Sequence, residues 1–325
     1  MSQPLLSIED LSINYKVYEG QTKVVSGAYF RVMRGEKVGL IGESGCGKTT
    51  TMRCIMRALP ENAVITKGRI LFQGNDILKM TSNEVQNIRR KNISMIFQDP
   101  TAALNPVFKI GEQLRDIIMY SNLSKGKKLD KKELNEQAIE ALKRVSLPDP
   151  ERILQNYPIQ LSGGMRQRVC IAAALISSGD LLIADEPGTS LDVTIEDQIL
   201  RLLGSLVEDR GTSIILISHA LGAVKGMVDK VYVMYAGVMV EVAKTEDLFS
   251  HPLHPYTVAL FKTVPKITGG GVPEPIPGRI PDYFDPPQGC RFWPRCQNAM
   301  PICKTEAPPL RNQGEEHEVA CYLFD

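Results

Sequence analysis

Gly42-Glu43-Ser44-Gly45-Cys46-Gly47-Lys48-Thr49 is the stretch whose reading decides the fold. It has the form G-x-x-x-x-G-K-[ST]. Glycines let backbone N–H groups turn toward phosphate oxygens without a Cβ clash. A lysine at the position of Lys48 reaches β- and γ-phosphates, and the Thr49 hydroxyl is suited to Mg²⁺. Just before it, residues 37–41 are a short apolar strand, and helix-forming residues run on from 48 to 59. Strand, glycine loop and helix together make the α/β phosphate-binding arrangement. A chance glycine-rich turn would lack both flanks. Alone, the motif says nucleoside triphosphate and no more.

Working outward, residues 5–15 alternate loosely and predict a strand. Leu181-Leu182-Ile183-Ala184-Asp185-Glu186-Pro187 predicts a buried strand ending in two acids. Asp185 there is suited to Mg²⁺, and Glu186 to polarising an attacking water. The plainer reading is two exposed acids at a strand end. The runs 181–184 and 213–218 are continuously apolar, which suits a parallel sheet covered on both faces. Residues 130–145 predict an amphipathic helix. Asp130 and Glu133 form a capping box, and Leu134, Ala138, Ala141, Leu142 and Val145 share one face.

Leu161-Ser162-Gly163-Gly164-Met165-Arg166-Gln167-Arg168 narrows the class, because here the chain resembles the ABC ATPases, whose signature is L-S-G-G-x-x-Q-R. The resemblance implies an α/β P-loop ABC ATPase core with a helical subdomain at about 99–165. It implies that the signature segment starts a helix and contacts the γ-phosphate held by an opposite subunit, through Ser162, Gly163 and Gly164. Gln98 resembles the glutamine that touches Mg²⁺ and links the core to the helical subdomain. Ser190-Leu191-Asp192 resembles the loop that crosses the dimer interface, with Asp192 near nucleotide. His219 matches the histidine that holds the γ-phosphate. Tyr15 is the candidate to stack on adenine, with Tyr18 close by. ATP and Mg²⁺ are thus the implied ligands. Gly42, Glu43, Ser44, Gly45, Cys46, Gly47, Lys48, Thr49 and Thr50 line the phosphates. Thr49, Gln98 and Asp185 face the metal, and Glu186, His219 and Gln98 serve hydrolysis. Two positions depart from the family, which usually has threonine at Gly188 and an acid at Ala220. The missing acid would loosen the loop around His219.

The likeness continues to the end of the chain. His254-Pro255-Tyr256-Thr257 is similar to the H-P-Y-T element of oligopeptide and dipeptide importers, and Cys290, Cys296, Cys303, His317 and Cys321 follow that subfamily's tail. The division expected is an ATPase domain at 1–258 and a small, loop-rich C-terminal domain at 259–325. Prolines 252, 255, 265, 273, 275, 277, 281, 286 and 287 and the glycines 269–271 mark the change. The implied partners are a second ATPase subunit, often a paralogue, two membrane subunits and an external binding protein. Peptide is the commonest cargo; nickel and oligosaccharides are the alternatives.

The bulk composition agrees. Basic and acidic residues balance at 38 against 37, so there is no charge-driven pull toward nucleic acid or acidic lipid. The lysine run at 125–132 is interrupted by Asp130 and followed by Glu133, which predicts a solvated face. No apolar run approaches the roughly 20 residues that span a bilayer, and residues 1–10 show no secretory signal. The expectation is a peripheral protein on the cytoplasmic face of the membrane. Thiols crowded at the end of a reduced chain favour metal over disulfide. Four thiolates suit a [4Fe–4S] cluster, which the subfamily resemblance also implies. Zinc, with His317 replacing a cysteine, is the runner-up, and unliganded thiols are the third reading. On sequence the cluster lies far from the ATP motifs. A soluble repair or translation ATPase would need coiled-coil insertions or a second core, and neither is present. An inactive nucleotide-binding module would not need Glu186 and His219.

Overall fold

The computed structural model describes residues 3–177, 179–189, 191–263, 275–314 and 316–325. Ser190, Pro265, Pro273 and the glycines 269–271 lie outside the described residues. The fold is α/β. Two compact units are formed, one from Met1–Met33, Lys37–Lys79 and Ser218–Asp325, the other from Arg34–Glu36 and Met80–Ile217.

The first unit carries an antiparallel sheet in the order Gly20–Val32, Leu6–Val17, Ala63–Phe72, Asn75–Asp76. The loose alternation of the strand Leu6–Val17 has a structural cause. Its register shifts between Ile8 and Leu11, and Asp10 takes a left-handed φ of 52°. A bulge of this kind moves the buried phase by one residue, so Leu6, Ile8, Leu11 and Ile13 all reach the core. In the unit's other layer, Lys37–Ile41 pairs parallel with Lys230–Tyr235, which pairs antiparallel with Val238–Lys244. The short strands Glu318–Val319 and Arg311–Asn312 continue that edge, so the C-terminal tail is built into the sheet.

Glu241 in Val238–Lys244 is fully buried. A carboxylate there must be hydrogen-bonded, and it accepts from the N–H groups of Leu253 (2.7 Å) and His254 (3.0 Å). His317 Nε2 sits 2.7 Å from the same carboxylate. Burial pushes His254 down to about 3, so its ring is neutral near pH 7, and its Nδ1 accepts the Tyr256 N–H at 3.0 Å. That bond caps the helix Pro255–Lys262.

The second unit holds three parallel strands, Ile93–Ile96, Leu181–Asp185 and Ser213–Ile217, with Leu181–Asp185 in the middle. Every residue of all three is buried, as continuous apolar runs require. The helices Ile110–Ser124, Lys131–Arg144, Pro150–Gln155 and Gly163–Ser177 pack on one another. Lys131–Arg144 has the anticipated capping box, with Asp130 accepting from the N–H groups of Lys132 and Glu133 and Glu133 accepting from the Asp130 N–H. No helix among the described residues is long and apolar enough to cross a membrane.

Candidate active site

In the first unit, the strand Lys37–Ile41 delivers the chain to the glycine loop and the helix Lys48–Ile55 leaves it. The helix is shorter than the expected 48–59. Met56 ends it, Arg57 takes a left-handed φ of 45°, and Pro60 follows. Gly42 has a φ of 153°, and a Cβ there would lie 2.1 Å from the Met234 carbonyl oxygen, so only glycine fits. Lys48 is buried and donates from Nζ to the carbonyls of Gly42 (2.8 Å) and Glu43 (3.0 Å). Its ammonium therefore lies over the loop that a phosphate would occupy. Burial raises the Cys46 thiol, so it stays protonated and acts as packing. Tyr15 places its hydroxyl 3.2 Å from Thr50 Oγ1, beside the loop's helix, whereas Tyr18 stands fully exposed. His219 is exposed, two residues after the end of the strand Ser213–Ile217.

Three tail residues that sequence reasoning gave no role here close on the loop. Glu43 donates its N–H to Tyr256 Oη at 2.8 Å. The Glu43 carboxylate takes a two-pronged bond from Arg295, at 2.8 and 3.2 Å. Tyr283 donates from its hydroxyl to the Gly45 carbonyl at 2.9 Å. The expectation that the cysteine segment lies far from the ATP motifs is corrected by these bonds, since Arg295 adjoins Cys296. Tyr256 had a signal in the sequence as part of H-P-Y-T, and Arg295 as part of the 286–296 stretch that resembles the importer tail; Tyr283 had none.

In the second unit, Asp185 is buried at the end of its strand. Glu186 follows with a left-handed φ of 47° and its N–H bonded to the Ile217 carbonyl at 2.9 Å. Its Oε2 accepts from Gln98 Nε2 at 2.8 Å and from the Thr189 hydroxyl at 3.0 Å. Gln98 and Glu186 are thus brought together, and Thr189 joins them unforeseen. The signature segment starts the helix Gly163–Ser177, with Ser162 Oγ accepting the Met165 N–H. Gly163 and Gly164 face Leu191 and Ile195, where added Cβ atoms would approach to 3.3 and 3.1 Å. Asp192 caps the helix Val193–Glu208 by accepting the Ile195 N–H at 3.0 Å.

Cys290, Cys296, Cys303 and Cys321 line one largely apolar cavity with His254, Phe292 and Trp293. Burial raises Cys290 to about 11 and lifts Cys296 and Cys321, and neighbouring thiols add to the rise at each. Among the described residues, no group of three or more His, Cys, Asp or Glu side chains is arranged to hold a metal ion. The reading of His317 as a zinc ligand is corrected, since its Nε2 is taken up by Glu241 and it does not line the cavity.

A strand–glycine-loop–helix that folds a lysine over its own carbonyls, with a strand-end carboxylate pair in the other unit, defines a P-loop nucleotide hydrolase. The ABC transporter family matches residues 25–189, and the oligopeptide/dipeptide transporter C-terminal region matches residues 240–303. The chain is 43% identical over 325 residues to the dipeptide transport ATP-binding protein DppD of Bacillus subtilis, covering 99% of this chain and 96% of that protein. It is 42% identical over 319 residues to the oligopeptide transport ATP-binding protein OppD of Salmonella typhimurium, covering 98% and 93%. The dimeric ATP-binding cassette MJ0796, bound to ADP and Pi, shares the fold at a TM-score of 0.66 and 24% identity, over 74% of this chain and 98% of that one. The chain belongs to the ABC transporter family, as an ATP-hydrolysing subunit with the oligopeptide/dipeptide type of C-terminal region.

Proposed function

We propose that this subunit powers the import of di- or oligopeptides from the cytoplasmic face of the membrane. The observation that carries the catalytic part is the Glu186 carboxylate, held by Gln98 and Thr189 at the end of a buried strand. A general base must be fixed within reach of the attacking water, and these two donors fix it. The backbone of Gly42, Glu43, Ser44, Gly45, Cys46 and Gly47 cradles phosphate, with Thr50 at the start of the helix and Lys48 supplying the charge-assisted contact. Thr49, Gln98 and Asp185 hold Mg²⁺, which neutralises charge on the phosphates. Tyr15 stacks on adenine. His219 holds the γ-phosphate, and Ser162, Gly163, Gly164 and Asp192 act on nucleotide held by a second ATPase subunit, a paralogue in this reading.

Peptide as cargo is supported by the C-terminal region and by full-length likeness to peptide-transport subunits. In this reading residues 1–258 do the ATP chemistry and residues 259–325 form the C-terminal region. Two permease subunits and an external binding protein complete the machine. The segment from Gln98 to about Leu161 docks on a permease loop. Val107, Phe108 and Ile159 in it are apolar and exposed at 70%, 51% and 83%, which suits an interface. In this reading the four cysteines take up a [4Fe–4S] cluster that would staple the tail; their lining of one cavity supports it, although among the described residues they are not already arranged around a metal.

The test is reconstitution with the permease pair and the matching binding protein in proteoliposomes. Peptide-loaded binding protein should stimulate ATP hydrolysis and peptide uptake. Stimulation by nickel or oligosaccharide alone would overturn the cargo.

A further inference from the structure

On one flank of the glycine loop, Arg295 and Tyr283 of the C-terminal segment bond to Glu43 and Gly45. Arg295 is nearly enclosed, with a side chain 4% exposed, and its donors are all committed. Besides Glu43, they reach the carbonyls of Pro277 (2.9 Å) and Ile276 (3.1 Å) and the Tyr235 hydroxyl (3.3 Å). A guanidinium fixed this way is a rigid post, and the two-pronged carboxylate bond orients Glu43 as well as attracting it. Arg291, four residues earlier, ties the same segment to the carbonyls of Lys23 and Ala236 and to Ser26 Oγ. Tyr283 reaches Gly45, and its own carbonyl accepts the Lys23 N–H at 2.7 Å. Phe292 packs edge to face against Tyr235 and Tyr256, which lie tilted on each other. Arg291 and Arg295 adjoin Cys290 and Cys296 in the chain, and Phe292, packed on Tyr235 and Tyr256, lines the cysteine cavity.

Two physical consequences follow for a polyanion arriving at residues 42–49. Gly42, Gly45 and Gly47 all have positive φ, so the loop backbone would be costly to order on its own. Holding Glu43 and Gly45 in advance lowers the ordering cost of binding. Glu43 also carries a negative charge inside a phosphate-binding loop. Unneutralised, it would repel ATP, and Arg295 removes that repulsion.

We propose that Arg295, assisted by Tyr283, is a positioning residue for nucleotide binding. It acts through Glu43 and makes the C-terminal cysteine segment a clamp whose integrity sets ATP affinity. The proposal rests on the reading of residues 42–49 as the ATP loop. Linkage requires the reverse effect too, with ATP slowing the opening of segment 290–296.

The test uses the full chain and a fluorescent trinitrophenyl-ATP with Mg²⁺. Arg295→Ala should raise Kd about tenfold, within the range ordinary for coupled sites. In a Glu43→Gln background the same change should shift Kd by less than about twofold, because the carboxylate it acts through is gone. Tyr283→Phe removes one hydroxyl without a cavity and should raise Kd about threefold. Amide exchange across 290–296 should slow when ATP is added. Lys48→Ala is the control for the loop itself, and wild-type binding there would sink the ATP-loop reading separately. Wild-type Kd in both Arg295→Ala and Tyr283→Phe overturns the clamp. An equal Arg295→Ala loss with and without Glu43 also overturns it, as a general effect on folding. If Arg295→Ala does not fold, Tyr283→Phe and the exchange data decide.

Discussion

Glu186 is held in a backbone conformation that non-glycine residues seldom adopt, with φ at 47°. Such strain persists only where the surroundings over-determine it, and here the Ile217 carbonyl, Gln98 and Thr189 do so. Glu186→Gln keeps the size and shape of the side chain but removes the base. It should retain ATP binding, trap a closed dimer, and cut steady turnover in the assembled transporter at least about a hundredfold. Near wild-type turnover would end the assignment. Lys48→Ala removes the ammonium over the loop and should weaken ATP binding by about tenfold or more, read by titration. Gly188, where the family usually has threonine, has its own local reason. A Cβ there would lie 2.3 Å from Glu196 Cγ. Gly188→Thr should therefore lower stability by about 1 kcal/mol, and a Glu196→Ala background should relieve the loss in thermal melts.

Among the elements, caps make the sharpest predictions. The helix Lys131–Arg144 starts on a reciprocal box between Asp130 and Glu133. Asp130→Ala should cost about 1 kcal/mol in denaturant unfolding. The helix Leu221–Met227 is the opposite case, because Ala220 at its N-cap offers no side-chain bond. The acid usual in the family would supply that bond. Ala220→Asp should raise stability by about 0.5–1 kcal/mol, with a higher melting temperature as the readout. An unchanged or lowered value would mean the acid serves the histidine loop and not the helix.

For the whole molecule, the proposed reading has the signature helix act on nucleotide held by a second subunit. The purified chain alone should be a poor ATPase, and addition of its partner subunits should raise the rate. Crosslinks from the permease loop should fall within residues 98–161; landing only on 259–325 would remove the docking claim. Anaerobically purified protein should be brown with about four irons per chain. Colourless protein carrying one zinc or no metal would refute the cluster. With a cluster present, Cys303→Ser should bleach it and, through Arg295, weaken ATP binding.

Local chemistry made much of this protein legible in its sequence. The glycine loop, the acid pair after an apolar strand, the signature and the Asp130 box each act within a few residues, so their order along the chain is enough to read them. Burial on both faces likewise left its mark as uninterrupted apolar runs at 181–184 and 214–217. Tertiary structure alone decided the rest. Arg295 meets Glu43, Tyr283 meets Gly45 and His317 meets Glu241 across long stretches of chain. Nothing in hydrophobic periodicity says which polar group will satisfy which, because a hydrogen bond needs only proximity and alignment in space. Only the folded chain brings the cysteine segment against the phosphate loop.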